Sequence, residues 1–531
     1  MVGKLTKHPL FAGIYLLFFL LVVVPTVYSF IYVLFFENSF QETAKLINNS
    51  TLTLLLSSIA IAGTIAILST VLGTLQAFLL YKIQTPFSSW FKLLLLLPLF
   101  ISPYIWAVAW KDFFYFAFNN TKLISSVGGL IFVHTSIYTP LAMLIAGSGF
   151  QNINSQLEES GLVITNFKSV IVRIIIPLIK PAIASSFILI FIFSISEFSV
   201  PAFLGVKVFT TEIFTQFSAF YNHSLALLQS VLLVVICFLL LLSEKKYIAS
   251  APFLSVGSKG SNYKIYKLKY SNIGLLFIFL WFVIFVILPP VMLAFQTFNT
   301  NINYFTKAFY LLQSSIAPSI FLSLISAFII VFAGFNIAFF TKNSKNSTIN
   351  IFLLITFIIP TIVLGISIIK FYNRPALNFI YGSYAIIIIG YIAKFLFITV
   401  KLIDNAVKKI PSSLDEAAQI AGVSLLGRII RIYFPLSLQA VFVSFIIVFI
   451  FSLSELGTTI MVYPPGSELM QIKVFTVSAN APLPLTSGMS LIVFLITLIV
   501  TGILFLIIKP FFNNDRTKKY KSLLRRQTSI K

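Results

Sequence analysis

Acidic residues are scarce in this chain, 14 Asp and Glu against 37 Lys and Arg in 531 residues, so the few that recur in a pattern stand out. Glu197 lies in FIFSISEF (191–198) and Glu455 in FIFSLSEL (449–456), 258 residues apart. Both end apolar runs long enough to enter a membrane, where a carboxylate is costly and marks a pathway or a pairing. Two facing carboxylates would make a cation-attracting gate. The plainer reading is that each pins a helix end through Ser194 and Ser196 or Ser452 and Ser454. The same offset joins Glu158 to Glu416, Arg173 to Arg431, Pro177 to Pro435 and Leu178 to Leu436.

Around Glu416 the chain reads DEAAQIAGVSLLGRIIRIYFPLSLQ (415–439). Ser412 or Ser413 is placed to cap a short helix with Glu416 in its first turn, near the positive end of the dipole. Ala417 and Ala418 are small enough to admit a partner backbone. Gly422 can end the helix in the left-handed conformation, and Pro435 is expected to stop the segment before the next apolar run. The first copy departs from this: Glu158-Glu159-Ser160 replaces Glu-Ala-Ala and Ile164 stands at the glycine position, while Ile174 and Pro177 keep the end of the pattern.

Other chemistry is missing. No phosphate-binding G-x4-G-K-[ST] loop occurs. His8, His134 and His223 are scattered and Cys237 is the single cysteine, so no metal site, catalytic group or cofactor is expected.

The elements that must position these residues follow from composition. With 59% hydrophobic and 10% charged residues, the chain cannot be disordered or a soluble enzyme; it is a polytopic membrane protein. The net charge of +23 first suggests nucleic acid, but no soluble domain exists to carry a basic face, so nucleic acid is not an expected partner; the lipid bilayer is. Twelve apolar runs are expected to span, near 10–36, 52–81, 93–110, 127–147, 182–201, 225–242, 273–297, 317–341, 349–371, 380–401, 439–456 and 488–508. The first is too long for a cleaved signal peptide and lacks its cleavage site. Basic residues concentrate on alternate connections, 29 of 37 on one side when Lys394 is counted there, which puts both termini in the cytoplasm of a cell-membrane protein. Pro98, Pro103 and Pro360 fall in the third run of each half, where they can open the backbone beside a pathway. The expected organisation is 1–242 and 273–510 as two duplicated six-helix units, with a basic linker at 243–272 and a basic tail at 511–531. Both units start on the same side, so the repeat is parallel.

Glu416-Ala417-Ala418, three residues, Gly422, nine residues, Ile432, one residue and Phe434-Pro435 resembles the EAA loop of ABC importer permeases, with Phe434 in place of leucine. The fused layout, with SEFSVPAFLGVKVFTTEIF (196–214) and SELGTTIMVYPPGSELMQIKVFT (454–476), is similar to the ferric-iron, thiamine and phosphonate group of that family. The resemblance implies an all-α fold of two type I importer units and a permease subunit rather than an enzyme, its coupling loops binding a dimer of a separate cytoplasmic ATPase. It also implies an external substrate-binding protein that delivers a small solute, ferric iron favoured. The implied coupling residues are Glu158, Glu159, Ser160, Ile164, Pro177, Glu416, Ala417, Ala418, Gly422 and Pro435. The rival reading is an ion-coupled secondary transporter, which needs ionisable groups at membrane depth; Glu197 and Glu455 are the ones the sequence offers.

Overall fold

The computed structural model describes residues 9–35, 48–243, 264–267, 271–300, 303–342 and 348–512. Most of the expected linker and all but the first two residues of the expected tail lie outside them. Every regular element among the described residues is helical, apart from one parallel bridge between Ile83 and Tyr266. Before the linker run α1 (Gly13–Tyr32), α2 (Asn49–Tyr81), α3 (Ser88–Leu94), α4 (Pro103–Phe118), α5 (Val127–Gln151), α6 (Ser155–Ile164), α7 (Phe167–Ser196), α8 (Ser199–Leu204), α9 (Phe209–Ser218) and α10 (His223–Ser243). After it run α11 (Asn272–Asn299), α12 (Asn303–Thr341), α13 (Thr348–Ile358), α14 (Thr361–Tyr372), α15 (Ala385–Val407), α16 (Ser412–Ile420), α17 (Leu425–Ser454), α18 (Thr459–Val462), α19 (Met470–Ser478) and α20 (Leu483–Phe512). Ten described helices are long and apolar enough to cross a membrane, twelve if each of two bent pairs is one span. The protein is an all-α, multi-pass membrane protein, and its outer surface carries the apolar side chains that lipid requires, such as Leu56, Val71, Phe321, Phe328 and Leu506.

Two expected spans are not straight. The third run bends by 96° between Phe100 and Pro103, and the ninth by 109° between Ile358 and Thr361. Pro103 and Pro360 sit at these breaks, since proline offers no N–H and clashes with the preceding turn. Two others begin earlier than expected: α7 and α17 run unbroken through Pro177 and Pro435 instead of stopping there. Each proline follows a single π-helical turn, Ile171–Ile175 and Ile429–Tyr433, which opens the ladder where the proline ring would collide. The π turns, the starts of α4 and α14, the starts of α5 and α15 and both ends of α7 and α17 all recur at 258 residues.

Packing between the two parts is reciprocal. The first helix of each crosses onto the other: α1 packs on α14, and α11 packs on α4 as well as on α20 of its own part. A π turn precedes Pro25 in α1, and that proline cannot donate to the carbonyl of Leu21; the Tyr372 hydroxyl, at the end of α14, donates to it instead at 2.9 Å. Ser29 Oγ donates to Ser367 O at 2.9 Å on the same contact. On the other side Phe285 and Phe295 of α11 meet Trp110 and Phe116 of α4. In the bundle proper, α2 lies against α5 and α12 against α15. Small residues permit these crossings: a Cβ on Gly73 would meet Ala142 Cβ and Thr139 O at 2.5 Å, and one on Gly334 would meet Thr399 Cγ2 at 2.5 Å.

Candidate functional site: two surface loops and a cavity

The loop helix α16 starts without a side-chain cap. Its N-cap is Pro411, and Ser412 and Ser413 lie inside the first turn, so neither serine caps it as the sequence suggested. The first-turn acid is Asp415 rather than Glu416. Arg428 Nη1 donates to Asp415 Oδ1 at 2.9 Å and Lys342 Nζ to Oδ2 at 3.3 Å. Burial works against the charge, but Lys342 and Arg428 hold the Asp415 carboxyl below its ordinary pKa. Glu416 and Ala417 are left exposed, beside Ile420 at 89% exposure. Gly422 ends the helix at φ +74, donating to Gln419 O (3.0 Å) while Val423 N donates to Ala418 O (2.9 Å). That reverse turn satisfies two carbonyls that would otherwise be open. Ser424 then caps the start of α17 by accepting from Gly427 N at 3.2 Å, and Pro435 lies exposed on α17 beyond its π turn.

The first loop is built differently. Asn154 caps α6 by accepting from Gln156 N at 3.0 Å. Glu158 is fully buried, and both Lys82 Nζ and the Tyr266 hydroxyl donate to it. Glu159 pairs with Lys264 at 3.4 Å, and Ser160 turns back to Leu157 O at 3.1 Å. Tyr266 is fastened to the chain after α2 by Tyr266 N to Lys82 O (2.7 Å) and Gln84 N to Tyr266 O (2.9 Å), and its ring packs on Phe167. Burial and the neighbouring Glu158 carboxylate push the Tyr266 phenol well above its ordinary pKa. Lys82 is shifted down by burial, partly offset by Glu158. Ile164, at the glycine position, is 82% exposed; the helix ends at Thr165 in extended backbone with no left-handed residue. Pro177 is exposed on α7 beyond the π turn.

One device serves both loops: the lysine directly after each long helix, Lys82 after α2 and Lys342 after α12, reaches into the loop and pairs with an acid. A lysine closing each of these helices was the visible signal, although the acid it meets is Glu158 in one loop and Asp415 in the other.

Glu197 and Glu455 follow the last residues of α7 and α17 and both line one cavity of about 210 Å3 between the two parts of the chain. Their carboxylates bond forward rather than back to the preceding serines. Glu197 accepts from Ser199 N, Ser199 Oγ and Val200 N, and Glu455 from Thr458 N, Thr459 N and Thr459 Oγ. Each therefore caps the short helix that follows. His134 Nε2 lies 3.4 Å from Glu197 Oε2.

Three buried groups were missed. Lys394, counted from sequence among the loop cations, is in the interior of α15, 5% exposed, and lines the cavity. Its Nζ donates to Phe357 O and Ile359 O, both at 3.0 Å, which are carbonyls opened by the break at Pro360. Its sequence signal was its place inside an apolar run. In the first part Trp106 Nε1 does the comparable work, donating to Pro98 O at 3.0 Å. Asp112 in α4 is buried, takes a 2.7 Å bond from Ser487 of α20, and its Oδ1 has no partner among the described residues. His134 is the third. Among the described residues no group of three or more His, Cys, Asp or Glu could hold a metal ion.

Residues 330–516 match the family model described as binding-protein-dependent transport system inner membrane component. The chain is 25% identical over 464 residues to the ferric transport system permease protein FbpB of Actinobacillus pleuropneumoniae, covering 80% of this chain and 67% of that protein. It is 24% identical over 480 residues to the Fe(3+)-transport system permease protein FbpB 2 of Haemophilus influenzae, covering 88% and 92%. This chain is similar to ferric-transport permeases over most of its length. The segment matched by the family model begins within α12 and takes in α16, Lys394 and Glu455. The likeness to the ferric permeases extends into the part before the linker as well, since it covers most of the chain.

Proposed function

We propose that this permease is the whole translocation pore of an ABC importer, two duplicated six-helix type I units joined by a cytoplasmic linker. Both termini face the cytoplasm, as the distribution of basic residues on alternate connections requires under the positive-inside rule. Two copies of a separate ATPase dock on α6 and α16. An external binding protein delivers a small solute, and ferric iron leads because the relatives carry that name. The observation that carries the reading is α16 itself: a short exposed helix bearing Glu416-Ala417-Ala418, closed by left-handed Gly422 and tied to α12 through Asp415 and Lys342.

The geometry supports a mechanical role. A force on α16 passes through the Asp415 ion pairs to α12 and through Ser424 directly into α17, whose far end is Glu455 at the cavity. The first loop is tied in the same way, from Glu158 through Lys82 to α2 and onward into α7, which ends at Glu197. Closing the ATPase dimer draws the two loops together, and the helices behind them change the exposure of the cavity.

The test is affinity capture of the tagged full chain from its native membrane in mild detergent. A co-purifying Walker-motif ATPase is expected, and Glu416→Lys or Gly422→Val should abolish its recovery while the chain stays monodisperse. Ion-coupled transport is favoured by one observation, the burial of ionisable groups at membrane depth, Lys394 in the cavity wall with Glu197 and Glu455, and Asp112 within α4. Uptake that persists without any ATPase, and collapses with the proton gradient, would establish that reading instead.

A further inference from the structure

We propose that Lys394 makes the cavity a binding site for anionic oxygen, so that cargo crosses as an anionic organic solute or as a metal held in oxygen-donor ligands, and not as a bare cation. This rests on the transport reading and specifies the chemistry of its substrate. An ammonium group carries three donors. Two are spent on Phe357 O and Ile359 O, which leaves one for the cavity that Lys394 lines. The two carbonyls also fix the head group at the break between α13 and α14, so its place on the wall is set before any ligand arrives.

The two carboxylates of the same cavity, Glu197 and Glu455, are occupied. Each oxygen of Glu197 and Glu455 already accepts from a backbone N–H of the helix it caps, and three of the four take a further bond from a hydroxyl or from His134. A metal ion could recruit them only by uncapping α8 and α18. The rest of the wall is mainly apolar, from Leu99, Ile137, Phe193, Phe395 and Phe451, with the neutral hydroxyls of Tyr138, Ser196, Ser199, Thr361 and Ser454 set among them. A naked trivalent ion entering this space loses its water and meets only scattered neutral hydroxyls, with both carboxylates already engaged. A charge-neutralised chelate or a small organic acid meets one fixed N–H donor in a largely apolar surround with hydroxyl donors beside it, where a charge-assisted hydrogen bond is strong. At about 30 Å3 per water molecule in the liquid, the cavity has room for several waters' worth of solute.

Lysine here also closes a broken helix, and the test separates that structural role from recognition. The purified full chain in nanodiscs is dialysed to equilibrium against labelled citrate, labelled 2-aminoethylphosphonate, ferric citrate and, as a compact trivalent cation with no oxygen donors, cobalt(III) hexammine. Wild type should retain at least one of the three oxygen-bearing probes and not the hexammine. Ferric citrate without free citrate points to a chelate, and free citrate or the phosphonate to an organic anion. Lys394→Gln, which still donates to one carbonyl, should weaken retention about tenfold or more, and Lys394→Arg should restore part of it. Glu455→Gln should tighten it by removing a like charge. Undiminished binding by a monodisperse Lys394→Gln chain, hexammine retained as well as citrate, or no oxygen-bearing probe retained by wild type overturns the proposal. The measurement uses no ATPase, so its result is independent of the capture experiment that tests the transport reading.

Discussion

Lys82→Met should destabilise this protein far more than the removal of Lys82 together with its partners. Lys82 and Glu158 are both fully buried, and Glu158 receives one further bond, from Tyr266. Removing one member of a buried pair strands the other charge and costs about 3–5 kcal/mol, whereas replacing both with apolar groups of similar volume is close to neutral. Lys82→Met/Glu158→Leu still leaves the Tyr266 hydroxyl without its acceptor, which costs about 1–3 kcal/mol. The triple variant with Tyr266→Phe removes that debt and should approach wild type. The assay is thermal challenge of the detergent-purified chain followed by fluorescence-detected size exclusion. At about 2–4 °C per kcal/mol for a domain-sized unit, the single variant should lose on the order of 6–20 °C and the triple variant little. A shift under about 2 °C for Lys82→Met, or a triple variant as unstable as the single, refutes the claim that this cluster is a dry, closed network.

Asp415→Asn tests the other loop. Its folded pKa is depressed by Lys342 and Arg428, so its stabilisation is complete above the ordinary aspartate pKa of about 3.9 and is lost as pH falls through the lower folded value. The variant should therefore melt below wild type at pH 7, by about 1 kcal/mol for such a partly exposed pair, and the two should converge below about pH 4. Tyr372→Phe deletes the donor to the carbonyl that Pro25 leaves open; a loss of about 1–3 kcal/mol is expected, and Pro25→Ala in the same background should recover part of it by restoring an internal donor.

The spans were readable because lipid demands long apolar runs, and the broad fold follows from that demand alone. Gly422 was readable for a local reason, since a left-handed residue after a helix depends on its own backbone. What failed depended on distant partners. Pro177 and Pro435 look like stops, yet a π turn lets each helix pass through, and nothing local to the proline distinguishes the two outcomes. Lys394 sits in an apolar run as a lone charge, and its burial became affordable only through carbonyls some 35 residues away that Pro360 had opened. The crossing of α1 and α11 onto the opposite parts has no signature in periodicity at all; it is a matter of which aromatic faces meet.

The two parts repeat their geometry and divide their chemistry. Recurrence at 258 residues covers helix starts, π turns and the two glutamates whose side chains cap backbone N–H groups, all of which shape the backbone. The side chains set upon that frame differ. Beside its glutamate one part has His134 and the other Lys394, and one loop buries its acid under Tyr266 while the other leaves Glu416 in solvent. Two separate identical chains could not differ in this way, because every substitution would appear twice. A fused chain can keep one loop as a fixed strut, with Glu158 and Glu159 both satisfied internally, and leave the other free to meet a partner. The consequence is a directional expectation: charge reversal at Glu416 should weaken capture of a partner more than charge reversal at Glu159, whose ion pair with Lys264 is already made within the chain.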